Sequence, residues 1–341
     1  MVTLMRVYIK ILIIVVTLAT TRIALNEGGK DIPNQGLPQL PKVSLYSNES
    51  PFKQLIPEDA KLDPDSDIMM QSMLEAYEKG GFYIAREGWT VAVYFADSNT
   101  PRYDVELTAP WAPAKVLKNV PIPDDAVPDS KEGHMSIIDR DSGCEYDFWL
   151  SKKENGRWSA AWANAISIDG DGVYPYGYSC RGSGFALLAG VIWPRELKLK
   201  RIDHALIFSY PFPKAGGPVE PATESDGNSY REDAIPEGAR LQLDPELDLD
   251  SLNLTPYEMT IARALQEYGM ILGDNGGSGI ELEAAIKTVD EEKCPYGEVL
   301  PQTDIVYLRN IPIEHFRVLE LPPQTSPEKK IVPNACSEWE Y

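Results

Sequence analysis

The chain predicts an all-β fold, an antiparallel β-sandwich of jelly-roll type with two peripheral helices. Three observations predict it. Short runs rich in β-branched and aromatic residues recur along most of the 341 residues. Asp, Gly and Asn cluster between those runs, as the dihedrals of tight turns require. Only two stretches repeat their apolar residues at helical spacing. Strands at short intervals with so few helices pack as two sheets around one core.

Residues 1–20 read as a signal peptide. Arg6 and Lys10 supply a basic start, Ile11 to Leu18 an apolar run, and Thr17 and Ala19 small residues for cleavage. The run falls short of the ~20 apolar residues that a spanning helix needs. A secreted, extracellular protein is expected, with no membrane association after cleavage. Residues 21–64 are Pro-, Asn- and Ser-rich and form a spacer or arm. Residues 65–320 form a single β-sandwich domain, and 321–341 a tail.

Within the domain, 66–79 is a helix with Ser66 as its cap and Met69, Met70, Met73 and Tyr77 toward the core. Segments 82–86 and 90–95 form a hairpin about Glu87-Gly88, and 103–107 is a strand. Five prolines make 110–128 a connecting loop. Further strands lie at 135–138, 145–150, 158–168, 185–192 and 205–210, with shorter ones at 240–243, 280–284 and 317–319. The second helix is the clearest element. Thr255-Pro256-Tyr257-Glu258 is a capping box with proline at the first helical position. Ile261, Leu265, Tyr268 and Leu272 form its apolar face, and Gly273 its left-handed cap.

A net charge of -20 excludes a nucleic-acid-binding face, which must be basic, and disfavours an anionic membrane surface. Cys144, Cys180, Cys294 and Cys336 are even in number and have no zinc-like spacing. In an oxidising compartment they predict two disulfides. Three pairings are open; proximity favours Cys144 with Cys180, leaving Cys294 with Cys336 to staple the tail. Four free thiols is the alternative in a reducing compartment.

Titratable and aromatic residues crowd into 133–210, where a core alone would need only aliphatic ones. His134, Asp139, Asp141, Glu145 and Asp147 lie close together. Glu145 and Asp147, two apart on a strand, face one way, as the paired carboxylates of a glycan-cleaving site would. His134 and His204 each start a strand; if those strands are neighbours, Asp203 could orient one imidazole for proton transfer. Tyr174, Tyr176 and Tyr178, in a loop, and Trp158 are candidates for stacking on sugar rings, although the tryptophans also suit core packing. Asp169-Gly170-Asp171-Gly172 begins like a calcium loop but lacks the spacing and closing Glu of an EF-hand, so no cofactor is expected and calcium is only weakly indicated. Gly182-Ser183-Gly184 does not match a nucleophile elbow.

The segments EYDFW (145–149), GRWSAAWA, RIDHALIF, PATESDG (221–227), IPEGARLQLDP (235–245) and ALQEYGMILGDNGG (264–277) resemble, in their order, a group of secreted and largely uncharacterised bacterial proteins. That resemblance implies an exported domain. A looser likeness, of architecture only, is to jelly-roll polysaccharide-degrading enzymes. The expected function is a secreted polysaccharide-degrading enzyme, a glycoside hydrolase or lyase. Glu145 and Asp147 would be the hydrolytic pair; His134, His204 and a tyrosine would serve elimination. The alternative is a non-catalytic extracellular protein that binds glycans or builds a surface assembly.

Overall fold

Three β-sheets and three α-helices build the described part of the chain, residues 45–86, 88–175, 177–287 and 295–341 of a computed structural model. The expected signal peptide, most of the expected spacer, Tyr176 and Cys294 lie outside the described residues. The first sheet runs Ile305–Tyr307, Phe82–Ala85, Ile280–Leu282, Leu206–Tyr210, Met270–Asn275, Arg240–Leu243, Phe316–Val318. The second runs Ala285–Lys287, Val91–Ala96, Met135–Asp139, Cys144–Trp149, Trp162–Ser167. The third runs Trp339–Glu340, Val116–Pro121, Arg102–Leu107, Arg157–Ala160, Lys152–Glu154.

The molecule is mostly β, as the strand runs predict, but its sheets are mixed rather than antiparallel. Leu206–Tyr210 lies parallel to Met270–Asn275, Phe82–Ala85 to Ile280–Leu282, and Val91–Ala96 to Met135–Asp139. Parallel neighbours need long crossovers, and the stretch between Tyr210 and Met270, which includes a helix, provides one.

Several expected elements change once tertiary partners are known. Segments 82–86 and 90–95 do not form a hairpin, because their strands belong to the first and second sheets. The expected strand 158–168 is two strands: Arg157–Ala160 joins the third sheet and Trp162–Ser167 the second. Residues 116–121 form a strand inside the proline-rich stretch, because the prolines stand before it or at its end and leave its ladder amides intact. Residues 185–192 make only isolated bridges, Val173 with Phe185 and Ile192 with Ala284. The amides of Leu187 and Leu188 are given to carboxylates instead of a ladder.

Helix Ser66–Gly80 buries Met69, Met70 and Met73 as expected. Its cap position is Asp65, and Ser66 Oγ instead accepts a hydrogen bond from Val318 N at 2.9 Å. Helix Pro256–Glu267 carries the expected capping box between Thr255 and Glu258. It stops earlier than expected, at the Gly269 reversal (φ 73°). Leu272 and Gly273 therefore belong to strand Met270–Asn275 and not to the helix. Ile261 and Leu265 are wholly buried in the core that this helix shares with the first sheet.

Cys144 is disulfide-bonded to Cys336, 192 residues away, and Cys180 is a buried free thiol. The expected pairing of Cys144 with Cys180 is corrected accordingly, and with it that of Cys336 with Cys294. Proximity along the chain misleads because the tail returns to the body. Trp339 and Glu340 pair with Leu117 and Val116 at the edge of the third sheet, and the bonded cysteines have Cα atoms 5.6 Å apart. The described end of the arm is equally integrated: Tyr46 and Phe52 are buried, the latter edge-on to Phe185 at 5.1 Å. Among the described residues no helix is long and apolar enough to cross a membrane.

Leu265→Ala should cost roughly 2–5 kcal/mol through a core cavity, and Thr255→Ala roughly 0.5–2 kcal/mol through loss of the cap, both read by denaturant unfolding. Peptide mapping without reduction should recover Cys144 cross-linked to Cys336, with Cys180 alkylated only after denaturation.

Candidate functional site

Glu145 and Asp147 point the same way from strand Cys144–Trp149, as their spacing predicts, but into the protein. Both are 0% exposed. Asp147 accepts hydrogen bonds from Ser136 Oγ (2.5 Å), Tyr174 OH (3.0 Å) and Leu187 N (3.0 Å). Glu145 accepts from Tyr46 OH and from Leu188 N (3.1 Å). Burial and the charge of Asp147 hold the Glu145 carboxyl well above the usual carboxylate range. Burial also raises Asp147, against the hydrogen bonds from Ser136 and Leu187. No part of this pair meets solvent, so no polymer reaches it.

The two histidines lie in unconnected settings, at strands of different sheets. His204 bonds Glu196 Oε1 through Nε2 (3.0 Å) and Ala205 O through Nδ1 (2.9 Å). Burial would lower its pKa, but Glu196 outweighs burial and raises it. Asp203 pairs instead with Arg201. His134 Nδ1 stands 3.6 Å from Glu132, and its Nε2 has no hydrogen-bond partner among the described residues. Burial lowers its pKa to about 4. Of the aromatic candidates, Trp158 and Tyr174 are core residues, each 2% exposed. Tyr178 stacks on Trp111, which is 51% exposed and also stacks on Trp149, both at 6.4 Å. In the turn at 169–172, Asp171 Oδ1 accepts from Val173 N (3.0 Å), and the Asp171 carbonyl accepts from Ser50 Oγ (2.6 Å), which ties the turn to the arm.

A different set of polar residues converges on the first sheet. Strand register aligns Tyr307, Tyr83, Glu281, Ser209 and Asp274 side by side across five strands. Residues in register share a face, so the five form a polar row. Glu283, two residues past Glu281, extends it. Both Nη atoms of Arg181 bind Glu283, and Nη2 also donates to Leu187 O (2.9 Å). Arg181 Nη1 stands 3.8 Å from Asp274 Oδ2.

Glycines bring the loop after Asp274 down onto this row: a Cβ at Gly276 would lie 2.4 Å from Ser209 Oγ. A second loop delivers Asp226. It is docked by Thr223, whose N donates to Ser183 O (3.0 Å) and whose Oγ1 donates to Tyr174 O (2.7 Å). Gly182 leaves space for the Asp226 carboxylate, which a Cβ there would meet at 2.8 Å. Glu237 Oε2 accepts from Asp226 N at 3.0 Å. Glu132 and His134, in the turn before strand Met135–Asp139, both feel the charge of Glu283.

Glu281 is 7% exposed, and its Oε1 has no hydrogen-bond partner among the described residues. Burial and the charge of Glu283 push its carboxyl up to about 9. Glu132 is raised as well, chiefly by burial. A carboxylic acid that stays protonated at neutral pH is therefore set beside an ion-paired carboxylate, the division that general acid–base chemistry uses. The row opens at Tyr83 into a groove of about 580 Å³ lined also by Tyr307, Arg309, Ser278 and Gly81.

Only His134 of the sequence-predicted catalytic residues belongs to this cluster. Its other members carried two signals: the glycine-rich stretch 273–279 beside Asp274, and the period-two pair Glu281 and Glu283. No protein-family model matches the chain, and no curated protein and no solved structure matches it.

Between the ordinary value of 4.5 and about 9, folded Glu281 keeps a proton that the unfolded chain has released. Its contribution to stability is full below 4.5 and is lost as pH rises through about 9. Glu281→Gln should therefore show a smaller fall in Tm than wild type across that window; equal slopes would remove the assignment.

Proposed function

We propose that the protein is a carbohydrate-active enzyme that cleaves a polysaccharide by acid–base chemistry, and that it does so on the polar row of the first sheet. The observation that carries this reading is the protonated Glu281 beside the Arg181-bound Glu283, next to a groove bordered by two tyrosines. Tyr83, which lines the groove, and Glu281 beneath it form the proton donor for the departing sugar oxygen. Glu132, raised by burial and coupled to the same group, is the base. It takes a proton from water in a hydrolase or from a sugar carbon in a lyase. Tyr83 and Tyr307, with ring centres 6.0 Å apart, offer faces for stacking on sugar rings. Secretion is part of the same proposal. The amino-terminal apolar run and the likeness to exported bacterial proteins support it, and the Cys144–Cys336 disulfide is consistent with an oxidising compartment.

A half-exposed aromatic surface at Trp111, stacked on Trp149 and Tyr178, favours the second reading, a glycan-binding protein without turnover. A panel of neutral and acidic polysaccharides separates the two, with release of reducing ends and of unsaturated sugars as readouts. Turnover should fall by ~10²–10⁴ in Glu281→Gln, with Tyr83→Phe also impaired and the fold retained. Binding without turnover in wild type would establish the second reading. Turnover that survives Glu281→Gln would show that the chemistry lies elsewhere.

A further inference from the structure

We infer that Asp226, Glu237 and Asp274 form a binding site for a divalent cation, and that calcium is the ion it fits. One carboxylate oxygen from each of the three lies within 4.8 Å of the others. Calcium binds oxygens at ~2.3–2.6 Å, so oxygens up to about 4.6–5.2 Å apart can share one ion, and all three separations fall under that limit. The donor set is carboxylate only, which suits a hard cation and not zinc or copper.

Glu237 supplies the independent observation. Its side chain is 0% exposed, and its Oε1 has no hydrogen-bond partner among the described residues. A buried carboxylate oxygen without a donor is costly, and a cation in the cluster removes that cost. Arg181 does not fill the role, because both its Nη atoms are committed to Glu283 and, through Nη2, to Leu187 O. Its distance of 3.8 Å from Asp274 Oδ2 exceeds a hydrogen bond. The frame is firm on two sides. Asp274 sits on strand Met270–Asn275, and Asp226 N is tied to Glu237 Oε2. Asp226 is exposed and gives the ion access from solvent. Three protein ligands leave the rest of the shell for water or for hydroxyl groups of a bound molecule. This site is distinct from the turn at 169–172, and it stands whether or not the protein acts on polysaccharides.

The test starts from full-length protein freed of metal with a chelator and titrated with calcium chloride, read by calorimetry and by thermal unfolding. A sodium chloride series at matched ionic strength serves as control. One calcium per chain and a rise in Tm are expected. Asp226→Asn, at an exposed position, should keep its fold and lose at least the ~10–100-fold in affinity that outer partners of metal sites contribute. Glu237→Gln should behave likewise. The inference is overturned by any of three results: no heat and no Tm shift at millimolar calcium, a shift that sodium reproduces, or wild-type affinity in both variants.

Discussion

Two carboxyl groups in the centre of the protein, Glu145 and Asp147, set the condition that the surrounding chain must meet. An ionised carboxylate in such a place is tolerable only with several good hydrogen bonds. Asp147 has three short ones, from Ser136, Tyr174 and Leu187 N. Glu145 accepts from Tyr46 OH, Leu188 N (3.1 Å) and, more weakly, Ser136 Oγ (3.4 Å). Burial pushes both carboxyls upward, and at Glu145 the charge of Asp147 adds to it. The donors come from three parts of the chain: the arm (Tyr46), the adjacent strand (Ser136), and the irregular stretch that contains Tyr174, Leu187 and Leu188. Leaving such a group unsatisfied costs ~1–3 kcal/mol, and more for a charged group. The pair therefore specifies where three otherwise independent segments must lie.

The mixed topology puts the candidate site where it is. Strands Leu206–Tyr210 and Met270–Asn275 run the same way and carry Ser209 and Asp274 in register. Loops therefore gather at that end, as they do at the carboxyl ends of parallel strands generally. Glu132 and His134, just before strand Met135–Asp139 of the second sheet, feel the charge of Glu283 from that side. Among these carboxylates Arg181 brings a buried positive charge, bound to Glu283 and 3.8 Å from Asp274.

What could be read in advance divides along a physical line. Features decided within a few residues were legible: the capping box at Thr255, the methionine face of the first helix, and the shared direction of Glu145 and Asp147. Features decided by partners distant in the chain were not. Period two says that Glu145 and Asp147 share a face, but not whether that face meets water or another layer. The 185–192 run is apolar enough for a strand, yet its amides were claimed by carboxylates some forty residues earlier. Cys144 had two candidate partners nearer than Cys336, and only the return of the tail decides between them. The row from Tyr307 to Asp274 draws one residue from each of five strands, and no local window contains it.

The sealed pair and the open cluster are linked through one residue. Leu187 N donates to Asp147, and Leu187 O accepts from Arg181 Nη2. Arg181 in turn holds Glu283 with both Nη atoms and faces Asp274. The Leu187 carbonyl shares one rigid, planar peptide group with Leu188 N, and Leu188 N donates to Glu145 (3.1 Å), so that bond fixes the plane in which the carbonyl meets Arg181. The guanidinium that orders the acidic cluster is thereby referenced to the centre of the protein and not to a surface loop. Such support from behind holds the cluster's side chains in one geometry. Glu145 and Asp147 thus lie outside the candidate site but behind it: buried as they are, they anchor the backbone from which Arg181, and through it Glu283, takes its position.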